Sequence, residues 1–235
     1  MVNSRTGRLA IRFFGLLLGF ALGATAASAD PRPIVVELFT SQGCSSCPPA
    51  DALLGELAQR GDVLALGFHI SYWDRLGWKD PLSNEGSTDR QKAYARSFGG
   101  RIYTPQIVVD GTTEMVGSDR AAVSAALREA RPEPTAPVIF AVDRRSVAIG
   151  PGDGNGEVVL VRFVRHRMTP VAQGENAGRV LADANGVSAL AALGVWHGAM
   201  LRFTIEPPGA GEGLAVLVQA PDGHMLGAAM VLGPG

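Results

Sequence analysis

The thiol chemistry open to this 235-residue chain is confined to two cysteines set three apart, Cys44-Ser45-Ser46-Cys47. They follow a strand-like run and precede a helix signalled by Pro48 and Pro49. At a helix start, unpaired amides and the macrodipole favour negative charge, so Cys44 is the candidate nucleophile. Cys47, three residues on, lies on the same face and within disulfide reach, which makes it the candidate resolving thiol. Two other roles stay open for the pair. A static disulfide would close a very short loop and add little stability to a chain with its own core. Alternatively, two thiolates would hold copper(I) with further ligands such as His69 or a residue of the Trp73-Asp74 loop.

Several other residues bear on that chemistry. Glu37 lies in the strand-like run, seven positions before Cys44. Burial there hinders its ionisation, which suits it to exchange a proton with Cys47, or else to meet an internal partner or solvent. Trp73, Asp74, Trp78 and Lys79 fall after a second apolar run, at the strand end where ligands gather in parallel sheets. Trp73 and Trp78 are thus either substrate-lining or packing residues. His69 reads foremost as a satisfied core histidine, and Arg90-Gln91 as a solvated or loop-bracing pair.

The elements that must position these groups are legible from pattern. Residues 1–29 place Arg5, Arg8 and Arg12 before an apolar stretch and end in Ala27-Ser28-Ala29, as in a cleaved secretory signal. The stretch is short for a bilayer span, so no membrane association is expected after cleavage, and the location would be periplasmic or secreted. The formal charge of −1 and the absence of any Lys/Arg block give no footprint for nucleic acid. From residue 33 the pattern runs strand (34–40), helix from 48 stopped by Gly61, strand (63–70), an irregular stretch (71–86) and helix (88–98, with Ala93, Tyr94 and Phe98 inward). Next come a hairpin turning at Asp110-Gly111 and a helix capped at Ser118-Asp119 that runs to about 131. Residues 131–135 hold Pro132 and Pro134 and read as a linker. Beyond it, residues 136–235 show short strand-like runs at 138–142, 146–149, 157–165, 200–205, 214–219 and 225–231, with a glycine-rich hairpin loop at 150–156 and Trp196 as core.

The run VVELFTSQGCSSCPPA (35–50), with Tyr103-Thr104-Pro105 before a hairpin, resembles the thioredoxin superfamily. More narrowly, residues 69–80 (HISYWDRLGWKD) and Tyr103-Thr-Pro-Gln106 look like the exported thioredoxin-like family catalogued as domain of unknown function 1223. Residues 174–179 and Trp196-His197-Gly198 resemble the same family, without a mechanism. The resemblance implies an α/β thioredoxin-like domain (33–131) of order β-α-β-α-β-β-α, followed by a small all-β, sandwich-like domain. It implies a cis-Pro105 beside the pair, with the backbone of Thr104 able to bind an extended substrate. It also implies an acid beneath the pair, usually six rather than seven positions ahead of the first cysteine. The expected function is thiol–disulfide exchange on protein or small-molecule thiols, with no diffusible cofactor. The alternative is a copper-binding or interaction module on the same scaffold. The sequence specifies no oligomeric state.

Overall fold

The computed structural model describes Met1 and residues 32–130, 132 and 135–234. The expected leader beyond Met1 (residues 2–29) and most of the expected linker lie outside the described residues. The first run forms β1 (Ile34–Thr40), buried at every position, and the second forms β2 (Val63–His69), parallel to it and equally buried. Between them stands α1 (Pro48–Leu57). After β2 comes a 3₁₀ turn, Ser71–Leu76, and then α2 (Glu85–Ser97), whose N-cap Asn84 accepts a hydrogen bond from the Ser87 amide. Its inner face carries Tyr94 and Ala95, whereas Ala93 is exposed, one position off the expected inner stripe.

The hairpin is β3 (Gln106–Val109) and β4 (Thr113–Val116), β3 antiparallel to β1. Its three-residue turn, Asp110 to Thr112, places Asp110 (φ 47°) and Gly111 (φ 75°) at positive φ, and the Thr112 amide donates to the Val109 carbonyl at 3.1 Å. Asp119 alone, not Ser118, caps α3 (Arg120–Glu129) by accepting from the Ala122 amide.

The second half is all strand: β5 (Val138–Phe140), β6 (Ser146–Ile149), β7 (Gly156–Pro170), β8 (Val180–Trp196), β9 (Leu201–Thr204), β10 (Glu212–Gln219) and β11 (Met225–Leu232). These strands do not close into a separate sandwich. Four of them extend the first sheet into one mixed eight-stranded sheet, ordered β11-β10-β7-β8-β2-β1-β3-β4, while β5-β6-β9 form a small antiparallel sheet. The join is the close approach of β2 and β8 at Gly67 and Gly186. A Cβ on Gly67 would stand 3.3 Å from the Ala184 carbonyl and one on Gly186 2.9 Å from the end of the Leu82 side chain, so the strands meet closely at both glycines. The glycine-rich 150–156 segment is a crossover from the small sheet to the large one, since β6 and β7 do not pair.

Side-chain alternation along β1 sorts the core. Val36 and Leu38 pack with α1 and α3 on one face. Val35 and Phe39 pack with Tyr94 of α2 on the other, continuous with Val161, Phe163 and Leu217 of the second half. The small sheet covers a third cluster around fully buried Trp196, whose indole donates to the Gly150 carbonyl. No helix among the described residues is long and apolar enough to cross a membrane.

Candidate functional site

Cys44 and Cys47 are joined in a disulfide, their Cα atoms 5.5 Å apart, in the turn between β1 and α1. Both residues are buried, at 1% and 0% exposure, while Ser45 and Ser46 between them face solvent. Cys47, rather than Cys44, is the N-cap of α1 and already has helical backbone angles. Prolines occupy the first two helical positions, so two of the amides expected to face an anion are missing. The Ala50 and Asp51 amides donate to the Cys47 carbonyl, and the Cys47 amide donates to that of Cys44. The Ser46 hydroxyl lies 3.3 Å from the Cys44 sulfur.

The Thr104–Pro105 peptide bond is cis. Trp73 donates its indole N–H to the Thr104 hydroxyl at 2.8 Å and lies against Gly43, so it ties the proline loop to the cysteine loop. Gly117 fits among Leu38, Ala50 and Pro105, bringing the proline over the start of α1. Trp78 donates to the side-chain carbonyl of Gln42 at 3.2 Å. Each tryptophan therefore positions a loop, and both are half-buried.

Glu37 is not beneath the pair. It shares the α2-facing side of β1 with Val35 and Phe39, so the sheet itself separates it from α1. There Arg90 clamps both carboxylate oxygens, Nη2 to Oε2 at 3.0 Å, and the Tyr94 hydroxyl donates to the same group. The position six before Cys44 is Leu38, which does face α1. One extra residue in the loop moves the acid to the opposite face. Arg90, expected as a solvated or loop-bracing residue, is this largely buried partner. Gln91 does brace a loop, donating to the Tyr103 carbonyl at 2.7 Å.

The acid on the cysteine face is Asp51, one helical turn after Cys47. Its amide donates to the Cys47 carbonyl at 3.1 Å, and its Oδ1 accepts from the Thr40 hydroxyl at 2.7 Å. Helical side chains lean toward the preceding turn, which here begins at Cys47. Burial, against the counter-pull of His69 and the Thr40 bond, raises its pKa to about 7. The signal in the sequence was an acid four residues after a cysteine.

Beneath the loop lies a buried network. His69 Nδ1 is 2.7 Å from Asp80 Oδ2, with Nε2 3.7 Å from Asp183 Oδ1. Burial alone would lower the His69 pKa, but Asp80, Asp183 and Asp51 together lift it to about 9. Gln42 joins this network to the cysteines: its amide donates to Asp80 at 2.8 Å and its side chain to Asp183 at 2.6 Å and Thr169 at 3.0 Å. Among the described residues no group of three or more His, Cys, Asp or Glu is placed to hold a metal ion.

The cap over the pair comes from the second half. In the β7–β8 loop, residues 171–179, buried Asn176 donates at 2.9 Å to the carbonyls of both Gln42 and Cys44, and Arg179 donates to its Oδ1 at 2.7 Å. Glu175 accepts from the Ser45 amide at 2.9 Å. These residues belong to the 174–179 motif that sequence reasoning left without a role.

Comparison with known proteins agrees with this layout at the level of family and fold. The model of a family described as "Protein of unknown function (DUF1223)" matches residues 35–219. The crystal structure of an Agrobacterium tumefaciens protein is 34% identical, with a TM-score of 0.72, over 86% of this chain and 94% of that one. HBP35 of Porphyromonas gingivalis is similar in fold at 13% identity, with a TM-score of 0.58 over 86% of this chain and 75% of that one. No curated protein matches.

Proposed function

The chain belongs to the DUF1223 family, and from that premise we propose that it is an exported thiol–disulfide oxidoreductase acting on protein or small-molecule thiols through Cys44 and Cys47. The observation that carries this reading is a disulfide between β1 and α1 with a cis-proline loop held beside it by Trp73. The sheet order β2-β1-β3-β4, with α1 and α2 on opposite faces, supports a thioredoxin-like ancestry for the first half. The leader-like residues 1–29 support export.

In the reducing direction, the Cys44 thiolate attacks a substrate disulfide and forms a mixed disulfide, and the first substrate thiolate leaves and takes up a proton. Cys47 gives its proton to Asp51 and attacks the Cys44 sulfur, which closes the resident disulfide and expels the second substrate thiolate. Two electrons pass from the cysteines to the substrate, and a dithiol reductant restores the pair. The amide and carbonyl of Thr104 make no hydrogen bond among the described residues, which leaves them available to an extended substrate backbone. Because Cys44 is buried, a protein partner gains access only when the loop bearing Asn176 parts from it.

The test is covalent trapping. Cys47→Ala should leave Cys44 disulfide-linked to a partner or to glutathione, and Cys44→Ser should exchange with no dithiol. A wild-type disulfide that resists reduction by excess dithiothreitol under native conditions, together with no trapped adduct, overturns the reading.

A further inference from the structure

Whether such a pair delivers or removes electrons depends on how far the exposed form of its first cysteine is stabilised as a thiolate, because an oxidant is one whose reduced state is favoured. Here the usual stabilisers are scarce. Two helix amides are replaced by prolines, those of Ala50, Asp51 and Cys47 are occupied by backbone carbonyls, and within the cysteine turn only the Ser46 amide is without a partner among the described residues. The Ser45 amide, next to Cys44, is taken by the Glu175 carboxylate.

We propose that Glu175 is a positioning residue for Cys44: reaching across from the β7–β8 loop, it takes the Ser45 amide and sets a negative charge beside the sulfur, so that Cys44 is held as a thiol and the pair is set to donate electrons rather than accept them. This rests on the redox reading given above. Hydrogen bonding from Ser45 holds the Glu175 pKa below its ordinary value, so the carboxylate is ionised throughout the neutral range. The other charges around Cys44 do not cancel it. Arg179 keeps its charge on the neutral Asn176 amide but reaches the cysteine loop only through it, whereas Glu175 bonds the Ser45 amide directly; Asp51 on α1 is an acid too, and His69 beneath Gln42 is already matched by Asp80 and Asp183. Trp73, Thr104 and Pro105 on the remaining side carry no charge. A role for the 174–179 motif follows: the second half supplies the group that sets the direction of the first half's chemistry.

Glu175→Gln keeps an oxygen that accepts from Ser45 and removes only the charge, and its exposed position makes it safe for folding. The measurement is the pH dependence of Cys44 alkylation by iodoacetamide in the full chain, in a Cys47→Ala background. The Cys44 midpoint should fall by about one pH unit in Glu175→Gln at low ionic strength, and the gap should shrink in 1 M salt. With both cysteines present, the dithiothreitol equilibrium at pH 9 should move several-fold toward the reduced form, a tenfold change being about 30 mV. Identical midpoints in the two proteins overturn the proposal. A wild-type disulfide that fails to exchange while the midpoints still differ sinks the redox reading and leaves the Glu175 effect standing.

Discussion

The two faces of β1 each bury ionisable groups, and they have settled them differently. On the α2 face, Glu37 is held by both arms of Arg90 and by Tyr94, and the guanidinium also lies 5.6 Å and 5.2 Å from the ring centroids of Phe68 and Tyr94. On the α1 face, Asp51 has one hydroxyl partner and sits near pH 7, above a histidine shared between two acids. Full pairing locks charge in place, whereas partial pairing leaves a proton that can move at physiological pH. The two carboxylates differ in pairing as well as in depth, Glu37 being fully buried and Asp51 half-buried.

The largest expected effect breaks the locked side. Arg90→Met should cost roughly 3–5 kcal/mol in urea unfolding, because it leaves the Glu37 carboxylate buried with only Tyr94 for a partner. The double variant Glu37→Leu/Arg90→Met should recover most of that loss. In either protein the folded fraction should exchange disulfides with an unaltered pH profile. A profile that moves with Arg90 would show that the two faces are coupled and would end the comparison.

Removing the acid on the other side should do the opposite. Asp51→Asn should slow disulfide exchange at pH 7 by roughly a hundredfold while raising stability. The folded pKa lies above the unfolded value of 3.8, so between about pH 4 and 7 the folded chain keeps a proton that the unfolded chain has lost. Wild-type stability therefore falls as pH rises through that window, and the variant should gain about 2 kcal/mol at pH 8 and nothing at pH 4. This figure is well under the full shift because Asp51 is only partly buried. His69 is also raised, so its contribution is whole below its unfolded value of 6.5 and is lost toward about 9. That upper slope should survive in the variant but end at a lower pH, because Asp51 is the weakest of the three acids that raise His69. Urea midpoints at pH 4, 6, 8 and 9.5 separate the two windows.

Much of this arrangement could be read in advance, and the misses have physical causes. β1, β2, the hairpin at Asp110-Gly111 and the cysteine turn follow from local pattern, and each falls within a few residues of its expected place. Glu37 was misplaced because the face of a strand residue changes with a shift of one, and spacing back from a loop of uncertain length cannot fix parity. Asp51 was legible only as a helix-opening acid, since its chemistry depends on Thr40 and on burial from other elements. The 17-residue β8 was missed because its alanines and glycines carry little strand propensity, and its 14 paired positions against β7 supply what the residues do not. Glu175 and Asn176 carry no local chemistry in the sequence, and nothing nearby tells that they close on residues about 130 positions earlier.

The finest test takes one hydroxyl from each carboxylate. Tyr94→Phe removes a donor from Glu37, and Thr40→Val removes the donor to Asp51 without changing side-chain shape. Each should cost on the order of 1 kcal/mol, so stability alone will not tell them apart. Their pH profiles should. Glu37 keeps two charged hydrogen bonds from Arg90 after Tyr94→Phe and lies on the face away from the cysteines, so the exchange profile stays put. The Thr40 hydroxyl lowers the Asp51 pKa against the pull of burial, so Thr40→Val should raise the acid limb of the profile by a fraction of a pH unit. An equal shift in both variants would mean that the limb belongs to neither acid. A shift confined to Thr40→Val assigns it to Asp51 and to the face on which the cysteines stand.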